Sequence, residues 1–421
     1  MTLLFLSFIV MIVLGFPIAF AIGISTSLAF LNASMPIVML SQRMFEGINS
    51  YMLLAVPLFM FAGALMDRGG LSEKMVNFAE SAVGFLPGGL AIAGITASML
   101  FAGVSGSAAA DSAAIGSIVI PSMKKNGYKP TMAAATIASA GSMGVIIPPS
   151  IPMIIYGFIT GVSIGKLFVA GILPGILIGI SLSAVAFFLS RKDSDKKRGN
   201  FNLKNIKNSL RNAGLAMGAP IIVIGGILGG IFTATESAAV AVIYSFIVGK
   251  FFYKQLKWKQ IYEAALSSAI TSSVILLIIS VATIFSWYLS INNIQPAIAS
   301  LFHLIGGKIM ILLLINLFLL LMGTFVETTA SLILFVPIVA PILTSIGINP
   351  LTAGVIVVTN LAVGMLTPPL GICLIVSGSI AKCGILQVSK AALPFLLIMI
   401  ADLFAISFFA PLTTLLPSLM K

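Results

Sequence analysis

Long apolar runs, each enough for the roughly 20 residues that cross a bilayer, recur from one end of this chain to the other. Short polar or Gly/Pro-rich breaks separate them. The pattern predicts an all-α polytopic membrane protein; the ten-residue alternation of barrel strands is not in it. Residues 3–31 are apolar around a Gly15-Phe16-Pro17 break, and 36–50, with Gln42, Arg43, Glu46 and Asn49, reads as an interfacial arm. A helix over 51–67 stops at Asp67-Arg68-Gly69-Gly70, and 71–86 is amphipathic. Residues 88–122 are apolar yet split by 103–111, a stretch too small and polar for mid-span helix. Arg68 and Lys74 precede this segment and Lys124, Lys125 and Lys129 follow it. Basic residues on both sides put both ends on the cytoplasmic face. The expectation is a re-entrant helical hairpin with its tip near the midplane, where irregular backbone must be covered by protein or line a watery cavity.

Residues 130–160 then cross outward with a break at Pro148-Pro149, and 167–190 cross back. The basic stretch 191–211 is expected as a cytoplasmic linker. Beyond it the plan recurs. A break at 225–236 is followed by a basic arm at 250–259, a helix over 264–290, and a hairpin over about 307–343 with its tip at 323–331. A broken helix over 350–380 and a closing segment over 391–417 complete the chain. The number of crossings in 1–31 and 212–249 stays open.

The Gly and Pro punctuation of the two halves coincides at a constant offset of 220 positions. Gly103 pairs with Gly323, Pro121 with Pro341, Gly127 with Gly347, Pro130 with Pro350 and Gly144 with Gly364. Pro148-Pro149 pairs with Pro368-Pro369. Chance would give about one such match over this window. The flanks of the second hairpin carry almost no basic charge apart from Lys308, so it should open outward where the first opens inward. The reading is two inverted-topology repeats, 1–190 and 212–421, around the linker. Duplicated, Gly/Pro-broken membrane segments are the signature of a secondary transporter that binds its substrate between the repeats.

Composition narrows the function. The chain is 59% hydrophobic and 8% charged, with mean hydropathy +1.17, far from a soluble domain. Its net charge of +12 sits in short loops, where it fixes orientation, so no nucleic-acid partner is implied. The segment from Thr2 has neither a basic n-region nor a small-residue cleavage site and is expected to be retained. Two cysteines, Cys373 and Cys383, in or beside apolar helix do not suggest a disulfide framework. Gly165-Lys166 and Gly307-Lys308 are each followed by an apolar residue, so no Walker A loop is present.

The chemistry concentrates at the hairpin tips. Ser105, Ser107, Asp111 and Ser112 lie in the first, with Gly103 and Gly106; Thr324, Glu327, Thr328, Thr329 and Ser331 lie in the second. A tip joins the end of one half-helix to the start of another, so free carbonyls and free amides meet there. Carbonyls with hydroxyls suit Na⁺, and amides at a helix start suit a carboxylate. Small residues also serve close helix packing, and that alternative stays open. The proline doublets free carbonyls near Gly144–Ile147 and Gly364–Thr367, the other candidate cation ligands, although a plain proline kink is the alternative. Of the charged residues deep in apolar sequence, Asp111 and Glu327 are site or helix-start residues. Glu236 is expected to hold a helix break together, and Asp402 to bond a neighbouring helix. With His303 the single histidine and no acidic chain to relay protons, Na⁺ coupling is the expectation. A remote alternative is an intramembrane serine protease: Gly103–Gly106 carries a G-x-S-G pattern with Ser105 as nucleophile. Its base would be His303, on the opposite face, and the repeat would go unexplained.

Residues 101–123, the break at 144–150, 229–246 and the GTFVETTASLILFVPI stretch at 323–338 resemble the large membrane subunit of tripartite ATP-independent periplasmic (TRAP) transporters, essentially from Met1 to Lys421. The second tip looks most similar to the sialic acid members. The resemblance implies a multi-pass protein of the bacterial inner membrane, and no enzyme. It implies elevator-type, Na⁺-driven uptake of an organic acid, with two or more ions. The small carboxylate carried would be sialic acid or a relative, with a C4-dicarboxylate or another sugar acid as the alternative. It also implies two partners, a small four-helix membrane subunit and a periplasmic substrate-binding protein, neither expected within these 421 residues. Carried onto this chain, the Na⁺ sites fall at Ser105, Gly106 and Ser107 with Gly144 and Ile147, and at Val326 and Thr328 with Gly364 and Thr367. Ser107, Asp111, Glu327 and Thr329 are the expected substrate contacts, and the division of the tips between ion and substrate stays open. The hairpins and broken helices form the transport domain, and the arms and remaining helices the scaffold.

Overall fold

Helices begin and end in this protein where the sequence supplies glycine, proline or a capping side chain. The structure, a computed structural model, describes residues 2–191, 202–292 and 306–420. Among these, every regular element is helical. The first half runs α1 (Thr2–Val13), α2 (Ile18–Asn32), α3 (Val38–Ile48), α4 (Ala55–Arg68), α5 (Leu71–Val83), α6 (Gly89–Ser105) and α7 (Ala108–Lys125). It continues with α8 (Pro130–Ser142), α9 (Ile151–Thr160) and α10 (Ile164–Ser190). The second half runs α11 (Leu203–Leu228), α12 (Ala234–Ile247), α13 (Trp258–Ile291), α14 (Lys308–Phe325), α15 (Thr328–Ser345) and α16 (Pro350–Gly364). It ends with α17 (Ile372–Ala381), α18 (Ile385–Phe408) and a single turn, α19 (Pro411–Thr414). Eight helical stretches among the described residues are long and apolar enough to cross a membrane.

The repeat seen in Gly and Pro extends to the helix ends. Ala108 opens α7 as Thr328 opens α15; Pro130 and Pro350 each stand at the first position of their helix, where a missing amide proton costs nothing. Both doublets, Pro148-Pro149 and Pro368-Pro369, hold a cis bond. Each hairpin packs on its own broken helix, α7 on α8 and α15 on α16, and then the repeats interleave. α17 lies against α7 and α8, while α9 lies against α15 and α16. A second group forms around α13, which packs on α2, α3 and α4; α4 in turn packs on α12, and α12 on α11.

Four boundaries depart from expectation. The tips are much shorter than 103–111 and 323–331, because only Gly106-Ser107 and Val326-Glu327 interrupt the helices. Small residues there do not break the helix; they let other helices press against it, as Pro220 does at Gly103, where an added Cβ would lie 2.8 Å from the proline Cβ. The arm at 250–259 dissolves into its neighbours: a π-helical turn covers Val248–Phe252, and Lys259 already belongs to the 34-residue α13. Of the predicted linker, 192–201 lies outside the described residues, and from Leu203 the chain is helix, capped by the Asn202 side chain, which accepts from Lys204 N at 2.9 Å. His303 likewise lies outside the described residues.

Candidate functional site

The first tip is built from three local devices. Gly106 takes φ +65°, a left-handed conformation that glycine adopts freely, and it turns the chain out of α6. Ser107 then caps α7, its hydroxyl accepting from Ala110 N at 3.5 Å. Asp111, one turn into α7, folds back so that the Ser105 hydroxyl donates to its Oδ1, and Ser107 N donates to Ser105 Oγ at 3.3 Å. The Gly106 carbonyl accepts from Ile151 N at 3.3 Å, tying the tip to the chain just past the proline doublet. Asp111 is fully buried, and its second oxygen, Oδ2, has no hydrogen-bond partner. Gly144 of the broken helix faces that oxygen: a Cβ on Gly144 would collide with Asp111 Oδ2 and lie 3.3 Å from the Ser107 carbonyl oxygen. Ser105, Ser107, Asp111 and Gly144 thus enclose one small oxygen-lined cradle.

Of the carbonyls freed by Pro148-Pro149, few point there. Val145 O accepts from the Ser150 hydroxyl, and Ile146 O faces Gly171 of α10. Ile147 sends its amide to Met143 O at 2.9 Å, and its side chain packs on Gly175. Gly144 is the member of that set that the structure brings to the tip.

The second tip uses the same positions with different chemistry. Glu327 stands where Ser107 stands in the first repeat, and its carboxylate caps its own helix. It accepts from Thr329 N at 2.8 Å, Ala330 N at 3.2 Å and the Thr329 hydroxyl at 3.1 Å. Ser331 replaces Asp111 and donates to Val326 O at 3.3 Å. The Thr324 carbonyl accepts from Leu370 N at 3.2 Å, so this tip too is tied to the chain just past its proline doublet, though not at the offset-equivalent residues. Gly364 meets backbone here: a Cβ on it would lie 2.6 Å from the Gly323 carbonyl carbon. Its carbonyl accepts from Thr367 N at 2.9 Å, and the Thr367 hydroxyl donates to Val363 O at 3.4 Å. Gly364 thus meets the second tip at Gly323, while Thr329 is bonded to the tip's own carboxylate and Thr367 to its own segment.

Glu236 and Asp402 do what their positions suggested. Glu236 closes a capping box with Thr233, accepting from its amide at 2.8 Å while Thr233 Oγ1 accepts from Glu236 N at 3.3 Å. Asp402 of α18 accepts from the Ser181 hydroxyl of α10 at 3.0 Å.

Two cavities flank these elements. The larger, about 720 Å³, lies between α9, α13 and α15 and is lined by Tyr156, Trp287, Ser290 and Thr344; neither tip reaches it. The smaller, about 400 Å³, lies between the first hairpin and α4 and α13 and does reach a tip, with Ser105 and Ser107 in its wall. The smaller one is the cavity that brings polar side chains to a tip. Its far wall carries Arg68, Ser267, Ser268 and Thr271, residues that nothing local in the sequence marks. Cys373 of α17 also sits beside Ser112 and Asp111, a neighbour supplied by the interleaving of the repeats. No group of three or more His, Cys, Asp or Glu side chains gathers among the described residues, so a cation held here would be bound mainly by hydroxyls and carbonyls.

Known proteins place this geometry in a context. The family model described as the DctM component of the tripartite ATP-independent periplasmic transporter matches residues 5–412. The chain is 41% identical over 403 residues to an isethionate TRAP transporter permease, DctMQ, of Oleidesulfovibrio alaskensis, covering 95% of this chain and 64% of that protein. It is 37% identical over 413 residues to the sialic acid TRAP transporter large permease SiaM of Vibrio cholerae, covering 96% and 95% of the two chains. It is 36% identical over 400 residues to the C4-dicarboxylate large permease DctM of Pseudomonas aeruginosa, covering 94% of each. In fold it is similar to the crystal structure of the Alcanivorax borkumensis YdaH transporter, with a TM-score of 0.63 over 89% of this chain and 88% of that one, at 16% identity.

Proposed function

This chain belongs to the DctM family, the large membrane subunit of TRAP transporters, and from that premise we propose that it takes up a small organic acid driven by Na⁺. It is a multi-pass membrane transporter and not an enzyme. The protease reading of Ser105 ends with that membership.

The observation that carries the coupling ion is the unpartnered Asp111 Oδ2 in its Gly144-walled cradle. A buried carboxylate oxygen without a donor is costly to leave unmatched, and a small cation beside it would remove that cost. The residues fit such an ion: Asp111, the Ser105 hydroxyl and the Ser107 carbonyl supply hard oxygens, and Gly144 leaves the room. A second ion would lie at Val326 and Thr328 with Gly364 and Thr367, held by neutral oxygens alone. In this reading the interleaved hairpins and broken helices move as one transport domain against the group around α13, in elevator fashion. The 400 Å³ cavity at the first tip falls within the range of small-ligand pockets. The relatives are named for isethionate, C4-dicarboxylates and sialic acid, all organic anions. Sialic acid or a related carboxylate is our reading for this chain, from the form of its second tip.

As a member of this family the chain works with a small membrane subunit and a periplasmic binding protein, and sits in the bacterial inner membrane. The test is reconstitution of all three in proteoliposomes. Uptake that requires an inward Na⁺ gradient is expected, and the chain alone should transport little. A dependence on the proton gradient alone would refute the coupling ion. A neutral sugar bound by the partner protein would refute the organic acid.

A further inference from the structure

The cavity at the first tip has an asymmetric wall. On the α7 side stand hydroxyls, Ser105 and Ser107, and no cation. On the α4–α13 side stands Arg68, the one Lys or Arg in the lining, at the C-terminal end of α4. Its Nη1 is 2.5 Å from Glu263 Oε2 of α13, a residue 195 positions away, and the two side chains keep 32% and 41% of their exposure. An ion pair that open to water contributes little to stability, so the pair is poorly explained as a fold element. Arg68 also presents a rigid fork of five N–H donors, and Glu263 takes one of them. Glu263 reaches Arg68 from outside the lining; the acidic residue in the wall itself, Asp67, accepts from the Ser72 hydroxyl at 3.2 Å. Gly63, one turn before Asp67, brings α4 close against the tip: a Cβ there would lie 3.1 Å from Ser105 Cα.

We propose that Arg68 is the carboxylate receptor of this cavity on the α4 side, with Glu263 as its built-in competitor; this rests on the organic-acid reading above. A substrate anion held at the tip meets Arg68 across the cavity and displaces Glu263 from it. When the anion leaves, Glu263 closes back onto the guanidinium and Arg68 is never left as an unpaired charge. The exchange swaps one carboxylate for another, so it gives specificity for acids over neutral solutes without holding the acid too tightly to release.

Opposite variants separate this from a structural salt bridge. Both Arg68→Gln and Glu263→Gln remove the same ion pair, so a structural role predicts the same direction of effect. A receptor with a competitor predicts opposite directions. The measurement is equilibrium binding of radiolabelled succinate, a sialic acid and isethionate to the purified full-length permease with its small subunit, in saturating Na⁺. For whichever anion the unaltered protein binds, Arg68→Gln should weaken affinity by about 10- to 100-fold, the scale of a lost charge-assisted contact. Glu263→Gln should tighten it by about 2- to 5-fold, the scale of an exposed ion pair. Changes in the same direction, or no change in Arg68→Gln, overturn the assignment while leaving the organic-acid reading in place. If Arg68→Gln does not fold, Glu263→Gln alone decides: tighter binding supports the receptor, and unchanged or weaker binding overturns it. Absence of binding by all three anions to the unaltered protein counts against the organic-acid reading itself and takes this inference with it.

Discussion

Substituting alanine at the two repeat-related glycines, Gly144 and Gly364, should produce two different defects. At Gly144 the new methyl collides with Asp111 Oδ2 and sits 2.7 Å from Asp111 Cγ, where ordinary contact begins at 3.4 Å. The carboxylate must therefore swing its Oδ2 aside or retreat by more than about 0.7 Å, and as a side chain it can. Its Oδ1 is held by the Ser105 hydroxyl and the residue is fully buried, so the movement comes out of the cradle. Local overpacking costs about 1–3 kcal/mol, and an ion that loses its carboxylate oxygen loses a contact of about 1.5–3 kcal/mol. The latter is roughly 10- to 150-fold in apparent Na⁺ affinity. At Gly364 the methyl would lie 2.6 Å from the Gly323 carbonyl carbon and 2.8 Å from its oxygen. Backbone cannot rotate aside, so α14 and α16 must separate, and the defect falls on stability. Two readings serve as the assay: Na⁺ dependence of uptake in the reconstituted three-component system, and the melting temperature of the purified permease. Gly144→Ala should shift the Na⁺ dependence with a small change in melting temperature, and Gly364→Ala the reverse. A Gly144→Ala protein with unaltered Na⁺ dependence and unaltered melting would refute the cradle as the ion site.

Three further outcomes follow from the same geometry. Ser105→Ala removes the hydroxyl that links Ser107 N to Asp111 and should weaken apparent Na⁺ affinity by roughly 5- to 150-fold, measured by the Na⁺ dependence of uptake. Glu327→Ala strips the cap from α15 and should lower unfolding stability by about 0.5–2 kcal/mol, read as a fall in melting temperature, while Na⁺ dependence holds. Glu236→Ala opens the capping box of α12 and should lower the melting temperature, with uptake per folded molecule unchanged.

The repeat, the hairpins and the broken helices were legible because Gly and Pro act locally: a proline removes an amide wherever it stands, and the doublets ended helices as expected. The roles of Glu236 and Asp402 were legible for a similar reason, since a charge amid apolar sequence must find a partner nearby. Tip length was not legible. Gly103 and Ala108–Ala110 look like breakers or loop in a one-dimensional reading, but an apolar environment saturates backbone groups within the helix, and the small side chains then serve contact with Pro220 and other helices. Nor could sequence tell Glu327, consumed as a cap, from Asp111, left with a free oxygen; the difference lies in whether the carboxylate sits at the cap or one turn inside. Arg68 and Glu263 were beyond reach for a plainer reason, because their meeting depends on α4 packing against α13.

The interleaving of the repeats has a consequence for synthesis. The wall that α17 provides to α7 and α8 is encoded some 260 residues after the tip it covers. At about 5–20 residues per second, a ribosome needs roughly 10–50 s to deliver it. Through that interval the first hairpin waits in the membrane with Asp111 lacking its α17 neighbour, and a polar group in that position attracts wrong partners. The repeats are thus matching in pattern but not autonomous as folding units: the earlier copy is finished only by the later one.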